Sequence, residues 1–324
     1  MPPATINVSR ARARGLPRTD GPADQVPARR GPTLGRRVRR SLTGYLFLAG
    51  AILCFALWSW YPMIHEILLS FQHLNLVGQS EGWGGWRNYE HMLNDPNFWT
   101  SVRVTLVFTG LALIFGYAVP FVLAVGLNEF RHAAWYFRLL VYLPVMLPPV
   151  AAAFLWKWFY TPDNSGLFNS VLHDLHLPTS TWLQSSNNTF VILCMVIFST
   201  WSNMGSGVLI YMAALQGIPG ELYEAAELDG AGVFKRVWHV TIPQTRLILS
   251  LMLLLQIVAT MQTFTESLVL TQGANGTGTL VYLVYQDATN FNNFGGSAAI
   301  GTVLLLVLGL FSGAYLWLNR RGEE

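Results

Sequence analysis

Glu224-Ala225-Ala226-Glu227-Leu228-Asp229-Gly230, continued to Val240-Thr241-Ile242-Pro243, is the stretch whose reading decides this chain. It is polar and helix-forming, yet it lies between strongly apolar segments. A chain that only had to span its bilayer would need nothing so elaborate there, whereas one driven by a partner would need a docking element. Pro219 and Gly220 punctuate the end of the preceding apolar run. Glu221 and Glu224 then fall early in a short helix, where the helix dipole favours negative charge. Leu222, Ala225 and Ala226 stand at i, i+3 and i+4 and make a compact apolar face. Alanines on that face let another protein's backbone come near. Asp229 precedes Gly230, which with Gly232 supplies the corner where the helix ends. In the following amphipathic segment Phe234, Val237 and Trp238 share the apolar side, and Pro243 is expected to close it before the next span. The competing reading is a helix lying on the membrane surface.

Outward from this loop, the chain reads as a membrane protein. Of its 324 residues, 52% are hydrophobic and 11% charged, with a mean hydropathy of +0.38. Soluble domains are nearer one-quarter charged, and long apolar runs indicate transmembrane helices. Six spans are expected, at about 44–71, 101–127, 136–160, 190–212, 246–270 and 296–318. Each is long enough to cross about 30 Å of hydrocarbon. The expected fold class is all-α and polytopic, because lipid forces backbone groups to be satisfied within each segment. The weak alternation and frequent turns of a β-barrel are absent.

Charge sets the expected orientation. The N-terminal residues 1–43 hold ten arginines, Arg131 and Arg138 flank the second loop, and Lys235, Arg236 and Arg246 lie in the fourth. With Arg320 and Arg321, 17 of the 20 Lys and Arg residues fall on one side. The positive-inside bias puts both termini and the Glu224 loop in the cytoplasm. The basic tail has no aromatic residues among its arginines and reads as disordered and solvated, with a lipid or partner contact as the alternative and no nucleic-acid role. A cleaved signal peptide is not expected, since the first apolar run is too long. Cys54 and Cys194 sit in apolar spans and read as small buried residues, with no disulfide framework or metal set.

The first span carries Pro62, His65 and Glu66 toward its outer end. The next loop holds Gly82-Trp83-Gly84-Gly85-Trp86-Arg87-Asn88-Tyr89, whose aromatics suit the headgroup layer or an external docking surface. Pro144, Pro148 and Pro149 require the third span to kink or break, in an ordinary span or along a substrate path. Phe154-Leu155-Trp156-Lys157-Trp158-Phe159-Tyr160 reads as an aromatic belt with a snorkelling lysine. The loop at about 161–189 is expected to hold a short helix at 167–175. Gly273, Gly276 and Gly278 lack the flanking strand and helix that a phosphate loop needs. The small residues Gly295 to Thr302 suggest a helix-packing face.

The Glu224 loop resembles the EAA loop of permease subunits from ABC importers, whose pattern is EAA, three residues, Gly, nine residues, then Ile-x-Leu-Pro. Here Gly230 stands at the required offset, and Val240, Ile242 and Pro243 occupy the last positions with two conservative departures. The resemblance extends over residues 44–321 and is greatest to the carbohydrate-type branch, similar to the maltose and glycerol-3-phosphate permeases. Supporting pieces are Trp86-Arg87-Asn88-Tyr89, the run from Asp95 to Trp99, Leu140 to Pro149, and Trp156 with Gly166 and Asn169. Further ones are Ala213-Ala214-Leu215-Gln216-Gly217-Ile218-Pro219 and Leu270-Thr271-Gln272-Gly273. The family's run of glycines plus proline after Leu-Thr is reduced here to Gln272-Gly273-Ala274.

The resemblance implies a type I ABC importer transmembrane domain over 44–321, with a coupling loop at about 213–245 that inserts into a groove on an ATPase subunit. Glu221, Leu222, Glu224, Ala225, Ala226, Asp229, Gly230 and Pro243 are its coupling residues. It implies a second, different permease subunit, two copies of a cytoplasmic ATPase that bind ATP-Mg, and an extracytoplasmic solute-binding protein. The chain has no Gly-x-x-x-x-Gly-Lys-Ser/Thr loop of its own and is expected to carry no cofactor and to catalyse nothing. A sugar or related polyol is the expected solute, with a non-sugar solute as the alternative. Intramembrane acids are functional candidates. Glu266 resembles an acidic position of the family; Glu266 and Glu66 both lie near outer helix ends, where water is also within reach. Asn203, Ser206, Gln256, Gln262 and Thr263 are candidates for sugar hydroxyls or for hydrogen bonds between helices. A polytopic lipid-modifying enzyme would need clustered His, Asp or Glu at one face, and the histidines are scattered. An ion-driven transporter would show more buried acids and an inverted repeat.

Overall fold

A backbone in hydrocarbon has only itself to bond, and the apolar runs of this chain are helices. The computed structural model describes residues 34–129 and 134–321. Helix α1 (Leu34–Phe55) continues through a π stretch at Ala56–Trp60 into α2 (Tyr61–Ser70). A hairpin of β1 (Gln72–Leu74) and β2 (Ser80–Trp83) leads to α3 (Arg87–Asn94) and the long α4 (Pro96–Glu129). The third run is α5 (Ala134–Tyr142), a 3-10 turn at Leu143–Met146, and α6 (Pro149–Phe159). Then come α7 (Leu167–Asp174), at the place expected for a short helix, α8 (Asn188–Gln216) and α9 (Gly220–Leu228). The remainder is α10 (Val233–Arg236), a π stretch at Val237–Thr241, α11 (Ile242–Met261), a π segment at Glu266–Thr271, α12 (Leu280–Thr289) and α13 (Phe294–Arg321). Among the described residues five helices are long and apolar enough to cross a membrane, or six when the bent α5–α6 pair is counted as one span.

The chain divides into two units, Met1–Ser59 and Trp60–Glu324. In the first, α1 begins at Leu34 rather than at 44. Arginine is a good helix former, and Pro32 is the last proline before it. The expected solvated tail before Leu34 lies outside the described residues. Leu46, Phe47, Leu53 and Phe55 are exposed along α1, as a lipid-facing helix requires.

In the second unit α4 packs along α8, and three apolar clusters form the core. One joins Phe108 of α4, Trp156 of α6 and Phe198 of α8; another gathers Met92, Phe98, Leu283 and Ile300 around α3, α12 and α13; the third holds Ala124 of α4 with Val208 and Tyr211 of α8. The hairpin was not foreseen. Its strands have three and four residues, too short to show the alternation that marks a strand.

Prolines break the third run as expected. Leu147 (φ −78°, ψ 140°) and Pro148 (φ −57°, ψ 129°) are extended, because a residue before proline is pushed out of the helical region. The two arms meet at a bend of 102°.

Pro243 does not close the Val233 segment, contrary to its expected role. α10, the π stretch and α11 form one rod, with Arg236 (φ −61°, ψ −45°) and Thr241 (φ −64°, ψ −54°) both helical. A proline inside an α-helix removes a donor and crowds the carbonyl four residues back. Here that carbonyl belongs to His239, inside the π stretch, whose wider turn makes room for the ring. The rod instead breaks where no proline or glycine stands, between Gln262 and Phe264, before the π segment resumes.

Candidate functional site

The foot of the rod carries α9. Pro219 (φ −56°, ψ 128°) turns the chain into it, and Glu221 lies in its first turn. Its far end is a Schellman closure: the Ala231 amide donates to the Ala226 carbonyl at 2.9 Å and the Gly230 amide to the Glu227 carbonyl at 3.0 Å. Gly230 sits at φ +72°, with nothing near a Cβ placed there, so the backbone angle and not crowding selects glycine. Leu222, Glu224 and Ala225 are exposed and Ala226 half-buried. Leu228, Phe234 and Trp238 are exposed by 90%, 92% and 70%, so the helix and the rod's foot present apolar surface that the described residues leave uncovered.

Two contacts tie α9 to the rod. The Tyr223 and Thr241 hydroxyls meet at 3.1 Å, and the Thr245 hydroxyl donates to the Thr241 backbone carbonyl at 2.7 Å. Arg236 and Glu227 form an ion pair at 4.0 Å. Tyr223 and Thr241 were not singled out in the sequence. Tyr223 lies off the apolar face that the motif marks, and no spacing rule couples it to a residue 18 positions away.

The upper part of the rod lines a cavity of about 510 Å³ between α4, α8, α11 and the π segment. Asn203, Ser206, Gln256, Gln262, Thr263 and Glu266 all line it, so the structure brings together six of the polar residues singled out along the sequence. Asn203 and Gln262 donate to carbonyls of their own helices, Ser199 at 2.9 Å and Val258 at 3.1 Å. Gln256 reaches the Ala112 carbonyl at 3.4 Å. Glu266 is buried, not open to water as its place near a helix end allowed, and accepts a 2.6 Å bond from the Thr263 hydroxyl. Glu66 is not part of this wall. It is half-buried on α2, and its carboxylate lies over Gly301 of α13, where any Cβ would collide with it.

The break in the rod frees backbone groups, and neighbours satisfy them. Thr279 Oγ1 donates to the Thr263 carbonyl at 2.7 Å, Ser267 Oγ to the Thr277 carbonyl at 3.1 Å, and Tyr282 Oη to the Gln272 carbonyl at 2.7 Å. Thr105 of α4 accepts from the Leu280 amide at 2.9 Å. Gln272 (φ 53°) and Gly273 (φ 69°) both turn left-handed, so the loop folds without the family's fuller glycine run. Gly273 is required twice over, since a Cβ there would strike the Tyr282 ring. Lys157 does not snorkel as a belt lysine would: its ammonium donates inward, to the Val269 carbonyl at 3.0 Å. Irregular backbone at membrane depth is tolerated where it lines a cavity and is held by protein in this way. Among the described residues no three His, Cys, Asp or Glu side chains are grouped to hold a metal ion.

Membrane-crossing helices around a polar cavity, with a bare amphipathic helix on the foot of the same rod, define a transport subunit of the type I importer fold. A crystal structure of a bacterial alginate ABC transporter, in complex with an alginate pentasaccharide-bound periplasmic protein, has the same fold. The TM-score is 0.78 at 22% identity, covering 89% of this chain and 97% of that one. The chain belongs to the family of binding-protein-dependent transport system inner membrane components, which matches residues 116–323. It is 34% identical over 272 residues to the arabinooligosaccharides transport system permease protein AraP of Bacillus subtilis, covering 82% of this chain and 84% of that one. It is 30% identical over 286 residues to the sulfoquinovosyl glycerol transport system permease protein SmoG of Agrobacterium fabrum, covering 86% and 91%. The protein is thus a multi-pass membrane protein and a permease subunit of a binding-protein-dependent ABC importer.

Proposed function

We propose that this chain forms half of the pore of a sugar importer and that α9 is the helix through which partner ATPases drive it. The observation that carries this reading is the rod: one continuous element bears α9 at its foot and the cavity wall near its other end. A push on α9 passes through the Tyr223–Thr241 contact into the rod and so to Gln256, Gln262 and Thr263. Glu221, Leu222, Glu224, Ala225, Ala226, Asp229 and Gly230 form or shape the docking surface, and Pro243 sits in the rod just above it. Two copies of a cytoplasmic ATPase would bind ATP-Mg, and its differential affinity for two states of the complex supplies the driving force. A second, different permease would complete the pore, and a solute-binding protein would deliver to the opposite end. The basic flanks orient α9 and both termini toward the cytoplasm.

Sugar is the solute class that the named relatives favour, and the wall suits it. Asn203 and Gln262 each give one amide N–H to their own helix and keep amide oxygens without a bond to the described residues. Such acceptors fit hydroxyl donors. The test is to purify the tagged chain from its native membrane and identify what accompanies it. A nucleotide-binding subunit and a second permease are expected, the former cross-linking through Leu228→Cys. Recovery of the chain alone, or cross-links only to lipid, would overturn the reading. In the assembled importer Gly230→Pro should then uncouple ATP hydrolysis from uptake while leaving membrane insertion intact.

A further inference from the structure

Lys157 is a cation inside the helical body. It lies on α6, the arm of the broken third run beyond the bend, and is half-buried. Its neighbour Trp156 is packed in the core against Phe198 and Trp201, at ring distances of 5.9 and 5.4 Å, so α6 is a fixed platform. An ammonium drawn partly out of water is costly unless it meets carboxylates or backbone carbonyls. Lys157 meets one such carbonyl, that of Val269, at 3.0 Å.

Val269 belongs to the π segment Glu266–Thr271, whose first residue lines the cavity together with the preceding Thr265. Last-turn carbonyls of a helix lack later amides to bond. Here Gln272 and Gly273 turn left-handed and carry the chain away, leaving the Val269 carbonyl to the lysine. A positive charge at that end also complements the helix dipole. The bonds from Thr279, Ser267 and Tyr282 all arise within residues 263–282. Lys157 instead anchors the segment from a different crossing element.

We infer that Lys157 is a positioning residue: it holds the Glu266–Thr271 segment in its π register and so fixes how Thr265 and Glu266 form the cavity wall. The transport role of that wall rests on the reading of the cavity as the solute path. Were the segment to anneal to an α-helix, one residue would leave the repeat, and its start would rotate by about 100°.

The experiment uses the assembled importer in membranes, with exposed Cys54 replaced by serine and Thr265→Cys as the reporter. The rate at which a charged, water-soluble methanethiosulfonate modifies position 265 is measured. Lys157→Met should change that rate severalfold, and Lys157→Arg, which keeps a charged donor, should bring it back toward the parent. Asn203→Cys, on the facing wall in α8, should react at one rate in all three backgrounds. Equal rates at position 265 with lysine or methionine would overturn the inference. A parallel change at position 203 would also overturn it, because it would mean general loosening. The importer reading fails separately, by the absence of partner subunits in the purification above.

Discussion

At Gly230 the whole requirement for glycine is an angle. With φ at +72° and open space around the missing Cβ, alanine there costs about 1–2 kcal/mol of backbone strain and nothing in collisions. Gly230→Ala should therefore fray the end of α9, lowering the ratio of uptake to ATP hydrolysis in the reconstituted importer while membrane levels stay normal. An unchanged ratio would show that the closure of α9 does not matter to coupling. The Tyr223–Thr241 hydroxyl pair is the complementary case, a contact that the motif does not contain. Removing both hydroxyls through Tyr223→Phe and Thr241→Val should give a coupling of about 1 kcal/mol in a double-mutant cycle followed by thermal unfolding. Additive effects would mean that α9 is held to the rod by something else. The apolar face of α9 was legible because a face has a spacing. The tether was not, because a tertiary hydrogen bond has none.

Two elements break, and only one break could be read from the chain. Pro144, Pro148 and Pro149 announce the bend between α5 and α6 in covalent terms: missing donors and a ring that excludes helical angles from its predecessor. Met261-Gln262-Thr263-Phe264 contains no such signal. At that break Thr279, on the far side of the loop, takes up the Thr263 carbonyl, while Lys157 and Tyr282 take up the Val269 and Gln272 carbonyls at the other end of the π segment. Pro243 misleads in the opposite sense, since a π turn absorbs a ring that an α-turn could not. The break should thus depend on its hydrogen bonds more than on local propensity. Thr263→Val strips the buried Glu266 carboxylate of its 2.6 Å donor and should cost about 1–3 kcal/mol in the thermal unfolding of the purified complex. The loss should shrink when Glu266→Gln is already present. Full loss in both backgrounds would mean that the hydroxyl serves some other group.

On the scale of the whole second unit, side-chain amides tie down the loops opposite α9. Asn88 donates to the Ser70 and Gln72 carbonyls, and Asn169 bonds Pro162, Ser180 and the Trp182 indole. Both stood in the sequence as family positions, but what they fasten emerges only with the fold. Asp95 also stood in the sequence as a family position, whereas Asp287 was not singled out there; the two face a cavity of about 230 Å³ shared by α3, the start of α4, α12 and α13, together with His91, Asn88 and Asn293. Burial, reinforced by the charge of Asp95, pushes the Asp287 carboxyl up from 3.8 to about 6, against the pull of a 3.2 Å bond from Asn293. The sign follows from linkage. Below 3.8 Asp287 is protonated in both folded and unfolded chains and has no effect on stability. Between 3.8 and about 6 the unfolded chain ionises first, so stability falls as pH rises, and above about 6 the loss is complete. Asp287→Asn, which keeps the shape and the neutral state, should raise the melting temperature of the purified complex at pH 7.5 and leave it unchanged near pH 4. Asp95→Asn should do the same to a smaller degree, because it relieves the repulsion and not the burial. A variant that melted lower at both pH values would show that the Asn293 bond, and not the proton, is what position 287 contributes.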